Sequence, residues 1–236
     1  MLFAHLRGIN TKTKFWRKDI FTLVGIGCGL FVLLTVIAMF FYPGGTFTDF
    51  NTRGYSFFQN FFSELGMART HTGGPKTVSL ILFLISMFLS GSGMIAFFAS
   101  FPQFFRNTRP NRILSLLGSA LGIISGVCFI GVAAFPADVN LPLHTGLVMW
   151  AFRLFPAAVL CYVSVMFREK TYPRGYAWEL VIFLGLLIGY ILLLEFGPGI
   201  KSYQGMVIQA VGQKIIVYAS IFSVMIQSWG ADRYSR

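Results

Sequence analysis

Residues 20–41 read IFTLVGIGCGLFVLLTVIAMFF, and this run contains no charged side chain. A helix needs about 20 apolar residues to cross the hydrocarbon core of a bilayer, because each residue adds about 1.5 Å to its length. Five more runs of similar length and polarity follow in the chain. We therefore predict six membrane-spanning helices, at residues 20–41, 77–98, 113–135, 143–167, 176–196 and 205–227.

The composition supports the same class of protein. Of the 236 residues, 56% are hydrophobic and only 11% are charged, whereas an ordinary soluble domain has about 25% charged residues. Such a chain has too few charged residues to form the surface of a soluble protein. It is also too apolar to be intrinsically disordered. Because the six spans leave only short loops, we predict one all-α, six-helix transmembrane domain that covers residues 1–236.

The basic residues are distributed unevenly between the two sides of the predicted bundle. The formal net charge is +11, and thirteen of the nineteen lysines and arginines lie in the termini, the second loop and the fourth loop. Cytoplasmic segments carry the excess of Lys and Arg in multi-pass proteins. We therefore expect both termini in the cytoplasm and the protein in the cell membrane. This topology accounts for the positive net charge. We therefore do not expect nucleic acid as a partner.

Glycine residues recur at a spacing of four within three of the predicted spans. Small residues at this spacing let helix backbones approach closely in a membrane, where lipid removes the hydrophobic drive for helix association. We expect these glycines to lie at helix–helix contacts. They are Gly25 and Gly29 in the first span, Gly118, Gly122 and Gly126 in the third, and Gly185 and Gly189 in the fifth.

Polar side chains that could carry chemistry are concentrated in the loops on the predicted extracytoplasmic side. The first of these loops has an aromatic stretch, residues 55–62, which we interpret as an interfacial helix, and Glu64 follows it. The second loop contains Asp138 and His144, held near each other by two prolines. We expect Glu64, Asp138 and His144 to lie at the same mouth of the bundle, and they are the candidate catalytic residues.

Two catalytic templates and one structural alternative fit these residues. Ser63, His144 and Asp138 could form a nucleophilic triad, although no G-x-S-x-G motif accompanies them. A metal could bind His71, His144, Asp138 and Glu64, but the spacing of metalloprotease histidines is missing. Alternatively, His144 is hydrogen-bonded to the loop backbone and has no catalytic role. We expect neither a metal nor a cofactor.

Two basic residues lie deep within predicted spans. Arg153 is in the fourth span and Lys214 is in the sixth, where Gln209 and Gln213 place a polar face beside it. Charged residues at this depth normally face the interior of a bundle and have a partner. We predict that these four side chains contribute to an anion-binding pocket; in the structural alternative, one of the cations pairs with a loop carboxylate such as Glu64 or with helix-end carbonyls. Because Arg153 and His144 are nine residues apart and should lie on opposite helix faces, we expect Glu64 to be the partner of Arg153.

Several short motifs together resemble a known family. Ser63-Glu64-Leu65-Gly66 precedes a Gly-rich second span, and Gly131-x-x-x-Phe135-Pro136-x-Asp138 leads to His144 and Phe152. This arrangement is similar to the prokaryotic six-helix membrane family catalogued as domain of unknown function 998, and distantly similar to DRAM and Frag-type membrane proteins. The resemblance covers roughly residues 40–165. It implies the six-helix fold and a polar site on the outer side, but no reaction.

These observations lead to two hypotheses from different classes. In the first, the protein binds a lipid or small anionic ligand in a polar pocket on the extracytoplasmic side, and whether it also modifies the lipid stays open. The Frag-type relatives act in lipid-anchor remodelling, so lipid is a ligand suggested by analogy only. In the second, the chain is a non-catalytic accessory subunit that packs against other membrane subunits.

Overall fold

Six long helices account for most of the structure, a computed structural model that describes residues 2–235 and the side chains of residues 19–235. All six contain a segment that is long and apolar enough to cross a membrane. The prediction of an all-α bundle of six spans is therefore confirmed, and the described residues contain no β-strand. The helices are α1 (Leu2–Phe40), α2 (Thr77–Ser100), α3 (Arg109–Ala134), α4 (Leu141–Arg168), α5 (Arg174–Phe196) and α6 (Tyr203–Tyr234).

The starts of three helices follow from local sequence signals. The side chains of Thr108, Asn140 and Ser202 each accept a hydrogen bond from a backbone N–H in the first turn of α3, α4 and α6. Pro110 and Pro142 lie in the first turns of α3 and α4, where a missing N–H costs nothing. These caps fix the residue at which each of the three helices begins.

The helices form a closed ring in chain order. Each helix packs against the next one, and α6 packs against α1 to close the ring. One end of the bundle carries the loops of residues 41–76, 135–140 and 197–202, and we call it the long-loop end. The opposite end carries both termini and two shorter connections, one of which includes the 3-10 helix Phe101–Phe104.

Glycine in the third span has the packing role expected from its spacing. A Cβ atom on Gly118 would lie 2.9 Å from the Cβ of Cys161 in α4, and one on Gly126 would lie 3.0 Å from the side chain of Ile95 in α2. Gly122 packs against the ring of Phe98. The α3 backbone therefore approaches both neighbouring helices closely, as small residues allow.

The same expectation is wrong for the first and fifth spans. No atom of a neighbouring element lies within 4 Å of a Cβ built on Gly25, Gly29, Gly185 or Gly189. These glycines face away from the helix contacts. Their spacing is the same as in α3, but a spacing of four only shows that residues share a helix face and not that the face is buried.

The segment of residues 43–75, which we call the lid, lies across the long-loop end. Its 3-10 helix, Phe62–Gly66, packs against α1, α2 and α6, and Phe62, Glu64, Leu65 and Gly66 within it are buried. The lid therefore closes one end of the ring from the inside.

Candidate functional site

The aromatic part of the lid is not the interfacial helix expected from its composition. Residues 55–61 contain no helix and form a turn at residues 57–59, and Phe57 and Phe58 are exposed. The hydroxyl of Tyr55 donates to the carbonyls of Asn60 and Phe61, and the side chain of Asn60 accepts a hydrogen bond from the N–H of Ser56. These local hydrogen bonds compete with a helix and close the segment into a compact turn.

Glu64 is the centre of a buried polar cluster at this end of the bundle. Its residue is only 1% exposed. One carboxylate oxygen accepts hydrogen bonds from the Tyr42 hydroxyl at 3.1 Å, the Asn60 amide at 2.6 Å and Nε2 of His71 at 3.0 Å. The other accepts the N–H of Phe61 at 2.9 Å. A buried carboxylate requires such donors, because water cannot solvate it.

Two buried lysines complete the polar cluster, which we define as Tyr42, Asn60, Glu64, His71, Lys76 and Lys214. Lys76, just before α2, is 3% exposed, and its ammonium donates to the backbone carbonyl of Glu64. Lys214, in α6, is 0% exposed and donates to the carbonyls of Asn60 and Ala210. Neither ammonium forms an ion pair with a described carboxylate. Both lysines therefore attach the lid backbone to the bundle.

Aromatic rings cover the charged groups of the polar cluster. The ammonium of Lys76 lies 4.4 Å from the centre of the Tyr42 ring, and that of Lys214 lies 5.4 Å from the centre of the Tyr55 ring. Both distances are within the range of cation–π contacts. The imidazole of His71 is stacked on Phe50, with ring centres 5.8 Å apart. The cluster is thus shielded from water.

Burial has opposite effects on the pKa values of the acidic and basic groups at the lid. It lowers the pKa of Lys76 from 10.5 to about 8, although the negative charges of Glu64 and Asp138 oppose this change. Burial, with the charge of Glu64 as the second cause, raises the pKa of the Tyr42 hydroxyl. Tyr42 therefore keeps its proton and remains a hydrogen-bond donor to Glu64.

Asp138 connects the second loop of the long-loop end to the lid. Its two carboxylate oxygens accept hydrogen bonds from the backbone N–H groups of Ala68 and Arg69, at 3.0 and 2.9 Å. The structure therefore brings Asp138 to the segment that follows Glu64, as the sequence predicted. The contact is made to the lid backbone, so Asp138 acts as a cap for two consecutive N–H groups.

His144 is bonded to its own loop rather than to either carboxylate. It is 6% exposed, and its Nδ1 lies 2.8 Å from the backbone carbonyl of Phe135, to which it donates. Among the described residues, no hydrogen bond joins His144 to Ser63 or Asp138, so the three residues do not form the triad for which their side chains were candidates. This is the structural alternative stated above. No group of three described His, Cys, Asp or Glu side chains is arranged to hold a metal ion.

The prediction that Glu64 pairs with Arg153 is wrong. Nη2 of Arg153 lies 2.6 Å from Oε1 of Glu195, near the end of α5, and the two side chains are 48% and 38% exposed. His144 is buried and Arg153 is exposed, in agreement with their nine-residue separation. Arg153 therefore faces outward from the ring. Glu195 on the adjacent helix satisfies it there, because the long arginine side chain reaches a carboxylate near the outer end of α5.

The remaining predicted residues of α6 hold protein groups. The amide of Gln209 donates to the carbonyls of Leu193 and Pro198 at 3.0 and 3.3 Å, which ties α6 to the end of α5. Oε1 of Gln213 accepts the N–H of Phe62 at 2.7 Å, which ties α6 to the lid. The polar face predicted beside Lys214 is present, and it holds the loops in place.

A central cavity of about 70 Å³ lies inside the ring, directly beneath the lid. Its wall comes from five of the six helices and from the lid helix, and almost all of it is apolar. Ser63 and Gln213 lie on the wall beside Phe62. The apolar lining includes Phe31, Phe62, Met87, Phe152, Val217 and Val224.

Sequence reasoning missed Tyr42, Asn60 and Lys76. Asn60 lies four residues before Glu64, which is a spacing that places two side chains together in a turn or helix. Lys76 directly precedes the second span, where a cation is usually interpreted as an interfacial residue. Nothing in the linear sequence shows that the lid folds inward and buries it.

Comparison with known proteins places the chain in a family. The sequence model of a family described as "Protein of unknown function (DUF998)" matches residues 25–229. The chain belongs to the DUF998 family. The matched range includes the whole polar cluster and every residue that lines the central cavity of this DUF998 protein. No curated protein and no solved structure matches the chain.

Proposed function

We propose that this DUF998 protein binds a lipid, or an apolar part of one, in the central cavity beneath the lid. The observation that carries the proposal is the cavity itself. A single water molecule needs a cavity of about 10–15 Å³ for its centre, so about 70 Å³ is a substantial space. A pocket that is mostly apolar and has a few polar groups is the usual form of a small-molecule site.

The lining favours an apolar occupant over water. Apolar cavities of this kind stay dry and accept hydrocarbon groups, because water inside them would lose its hydrogen bonds. Phe31, Phe62 and Phe152 supply large apolar surfaces around the space. A membrane protein is surrounded by molecules with apolar chains, so membrane lipids are the ligands that we propose.

The polar cluster supports a role in closing the site rather than in holding a free anion. The hydrogen bonds of Glu64, Lys76 and Lys214 are all made to protein groups of the lid and its surroundings. Asp138 and His144 are likewise bonded to loop backbone. We therefore propose binding without catalysis, with the lid as the structure that must move when the ligand is exchanged at this end.

The distribution of lysine and arginine supports a location and an orientation. We propose that the protein is in the cell membrane with both termini in the cytoplasm, because the end of the bundle that carries the termini has most of the basic residues. The lid and the end of the central cavity that it covers then lie on the extracytoplasmic side.

Blocking the cavity tests the proposal. Purified protein in nanodiscs is irradiated with an alkyl diazirine, and labelled peptides are identified by mass spectrometry. We expect labels on cavity-lining segments of the parent and of Ile215→Trp, because Ile215 is 55% exposed on the outside of α6. Val217→Trp, two residues away on the cavity wall, should lose these labels.

A second variant guards against misfolding. Val224→Phe adds a smaller volume to the same wall and should reduce the labelling without abolishing it. Each variant must elute as a single species and unfold cooperatively. If the parent takes no label in the cavity, or if folded Val217→Trp is labelled there as strongly as the parent, the proposal is wrong. An accessory role for the chain would then be favoured.

A further inference from the structure

The wall of the central cavity carries two hydrogen-bonding groups without a protein partner at the lid end, in addition to the hydroxyl of Ser90 further along α2, which makes no hydrogen bond to a described residue either. Oε1 of Gln213 faces the N–H of Phe62, because a backbone N–H can donate only to the amide oxygen. The amide nitrogen of Gln213 therefore points away from that contact, and it makes no hydrogen bond to a described residue. The hydroxyl of Ser63, which also lies on the cavity wall, makes none either.

These two groups can serve a ligand oxygen. The Gln213 amide nitrogen can only donate, whereas the Ser63 hydroxyl can donate or accept. A carbonyl or hydroxyl oxygen at the lid end of the cavity would satisfy them. A pure hydrocarbon in the same place would leave both groups without a partner, which is unfavourable for buried polar groups.

The cavity is also unsuited to a charged group. Among the described residues that line it there is no Asp, Glu, Lys, Arg or His. Lys214 follows Gln213 in the chain, but its ammonium is turned to the carbonyls of Asn60 and Ala210. A buried charge without a partner is costly, so a phosphate or carboxylate head group would not be stable in this space.

We infer that the ligand of the central cavity is an uncharged lipid whose apolar body carries an oxygen that accepts a hydrogen bond. Ketones, esters, quinones and alcohols belong to this class. Gln213 and Ser63 hold the oxygen beside Phe62, and the apolar body lies along Val217, Phe152 and Val224. This inference rests on the proposed function, since it names the ligand class of the same site.

The test uses three photoreactive probes with one carbon skeleton. Each is an alkyl diazirine, and the chains end in a methyl ketone, in a hydrocarbon group of equal size, or in a carboxylate. Labelling of the cavity is titrated in nanodiscs for the parent, Ser63→Ala, Gln213→Leu and the double variant. Comparing each probe between parent and variant removes differences in partitioning into the lipid.

We expect the ketone probe to label the parent cavity best. The double variant should weaken ketone labelling about five- to a hundredfold, the usual effect of losing two hydrogen bonds, and should leave hydrocarbon labelling unchanged or stronger. Ser63→Ala alone should show part of this loss, and it leaves the bond from Phe62 to Gln213 intact.

The outcomes separate the inference from the proposed function. If ketone and hydrocarbon probes respond equally to the variants while Val217→Trp still blocks both, the ligand class is wrong and lipid binding stands. Strongest labelling by the carboxylate probe also contradicts the inference. If no probe labels the cavity of the parent, the proposed function itself fails.

Discussion

Glu64 determines the position of the lid through a set of short contacts. Its carboxylate joins two lid residues, Asn60 and His71, to Tyr42 at the end of α1, while its carbonyl accepts from Lys76 at the start of α2. Removing one member of such a buried network leaves the others without partners, which is more costly than losing one surface contact. The closed position of the lid therefore depends on a few side chains whose hydrogen bonds stabilise one another.

The buried ammonium of Lys76 makes stability depend on pH. Its pKa is lowered to about 8, whereas in the unfolded chain it is about 10.4. Between these values the unfolded chain binds more protons, so the contribution of Lys76 to stability rises from pH 8 to about pH 10.4 and is lost as the pH falls through 8. We expect the free energy of unfolding of the parent, relative to Lys76→Met, to increase over this window by at most about 3 kcal/mol.

Unfolding in detergent micelles at several pH values within that window measures this difference. Lys201→Met is the matched control, because Lys201 is exposed in the loop before α6 and should show no such increase. A difference between parent and Lys76→Met that stays constant, or that decreases as the pH rises, would show that Lys76 is not buried as a cation.

At the scale of elements, the lid and α2 meet at Gly66. A Cβ on this residue would lie 2.5 Å from the ring of Phe83. We expect Gly66→Ala to lower the free energy of unfolding by about 1–3 kcal/mol, because the lid helix or Phe83 must shift. Gly189→Ala is the control. It has no neighbour within 4 Å and should be neutral or slightly stabilising, since Ala favours helix. Thermal unfolding of both variants checks the contrast.

The ion pair of Arg153 and Glu195 connects α4 and α5 on the outer surface of the ring. If this surface faces lipid, either charge left alone is unfavourable, and an arginine left alone is the more costly because its guanidinium always keeps its charge. We therefore expect Glu195→Leu to lower stability more than Arg153→Leu, by roughly 1–3 kcal/mol. The double variant should be more stable than Glu195→Leu.

A double-mutant cycle in nanodiscs measures this coupling. Additive effects of the two single substitutions would contradict the ion pair as the reason for their stability effects. Equal losses for the two single variants would argue against a lipid-facing position of the pair, because water would solvate either charge equally well.

These elements also show how far sequence reasoning reaches. The six spans follow from their apolar length, and the interior position of Lys214 follows from the high cost of a charge that faces lipid. The faces of α4 and α5 could not be assigned in this way, since lipid is as apolar as a protein interior and leaves no pattern on the lipid side. The sequence alone therefore wrongly predicts an interior position for Arg153. The lid could not be derived either, because its contacts join residues that are far apart in the chain, such as Asn60 and Lys214.

At the scale of the whole molecule, the ring of helices and the lid together enclose the central cavity. The helices follow one another around the cavity, and the lid helix closes the space from the long-loop end. Asp138, Gln209 and Gln213 attach the loops of that end to one another and to the helices. The arrangement separates an apolar interior from the solvent at the proposed outer surface.

The proposed orientation of the bundle in the membrane predicts which of its two ends is accessible from outside the cell. In a variant without Cys28, Cys128 and Cys161, a cysteine at Val139 should react with an impermeant thiol reagent added to intact cells. Val139 is 68% exposed in a loop of the long-loop end. A cysteine at Arg109, at the start of α3, should be protected until the cells are opened. The reverse pattern would place the lid in the cytoplasm.

The central claim, that the cavity beneath the lid holds a lipid, is tested most directly by an experimental structure of the protein purified in its native lipid. A cryo-EM reconstruction with a bound antibody fragment is suitable for a chain of 26.4 kDa. We predict elongated density inside the ring, along Val217 and Phe152, that ends beside Gln213 and Ser63. A well-resolved cavity without density, or one closed by collapse of Phe62 onto Val217, would contradict the claim.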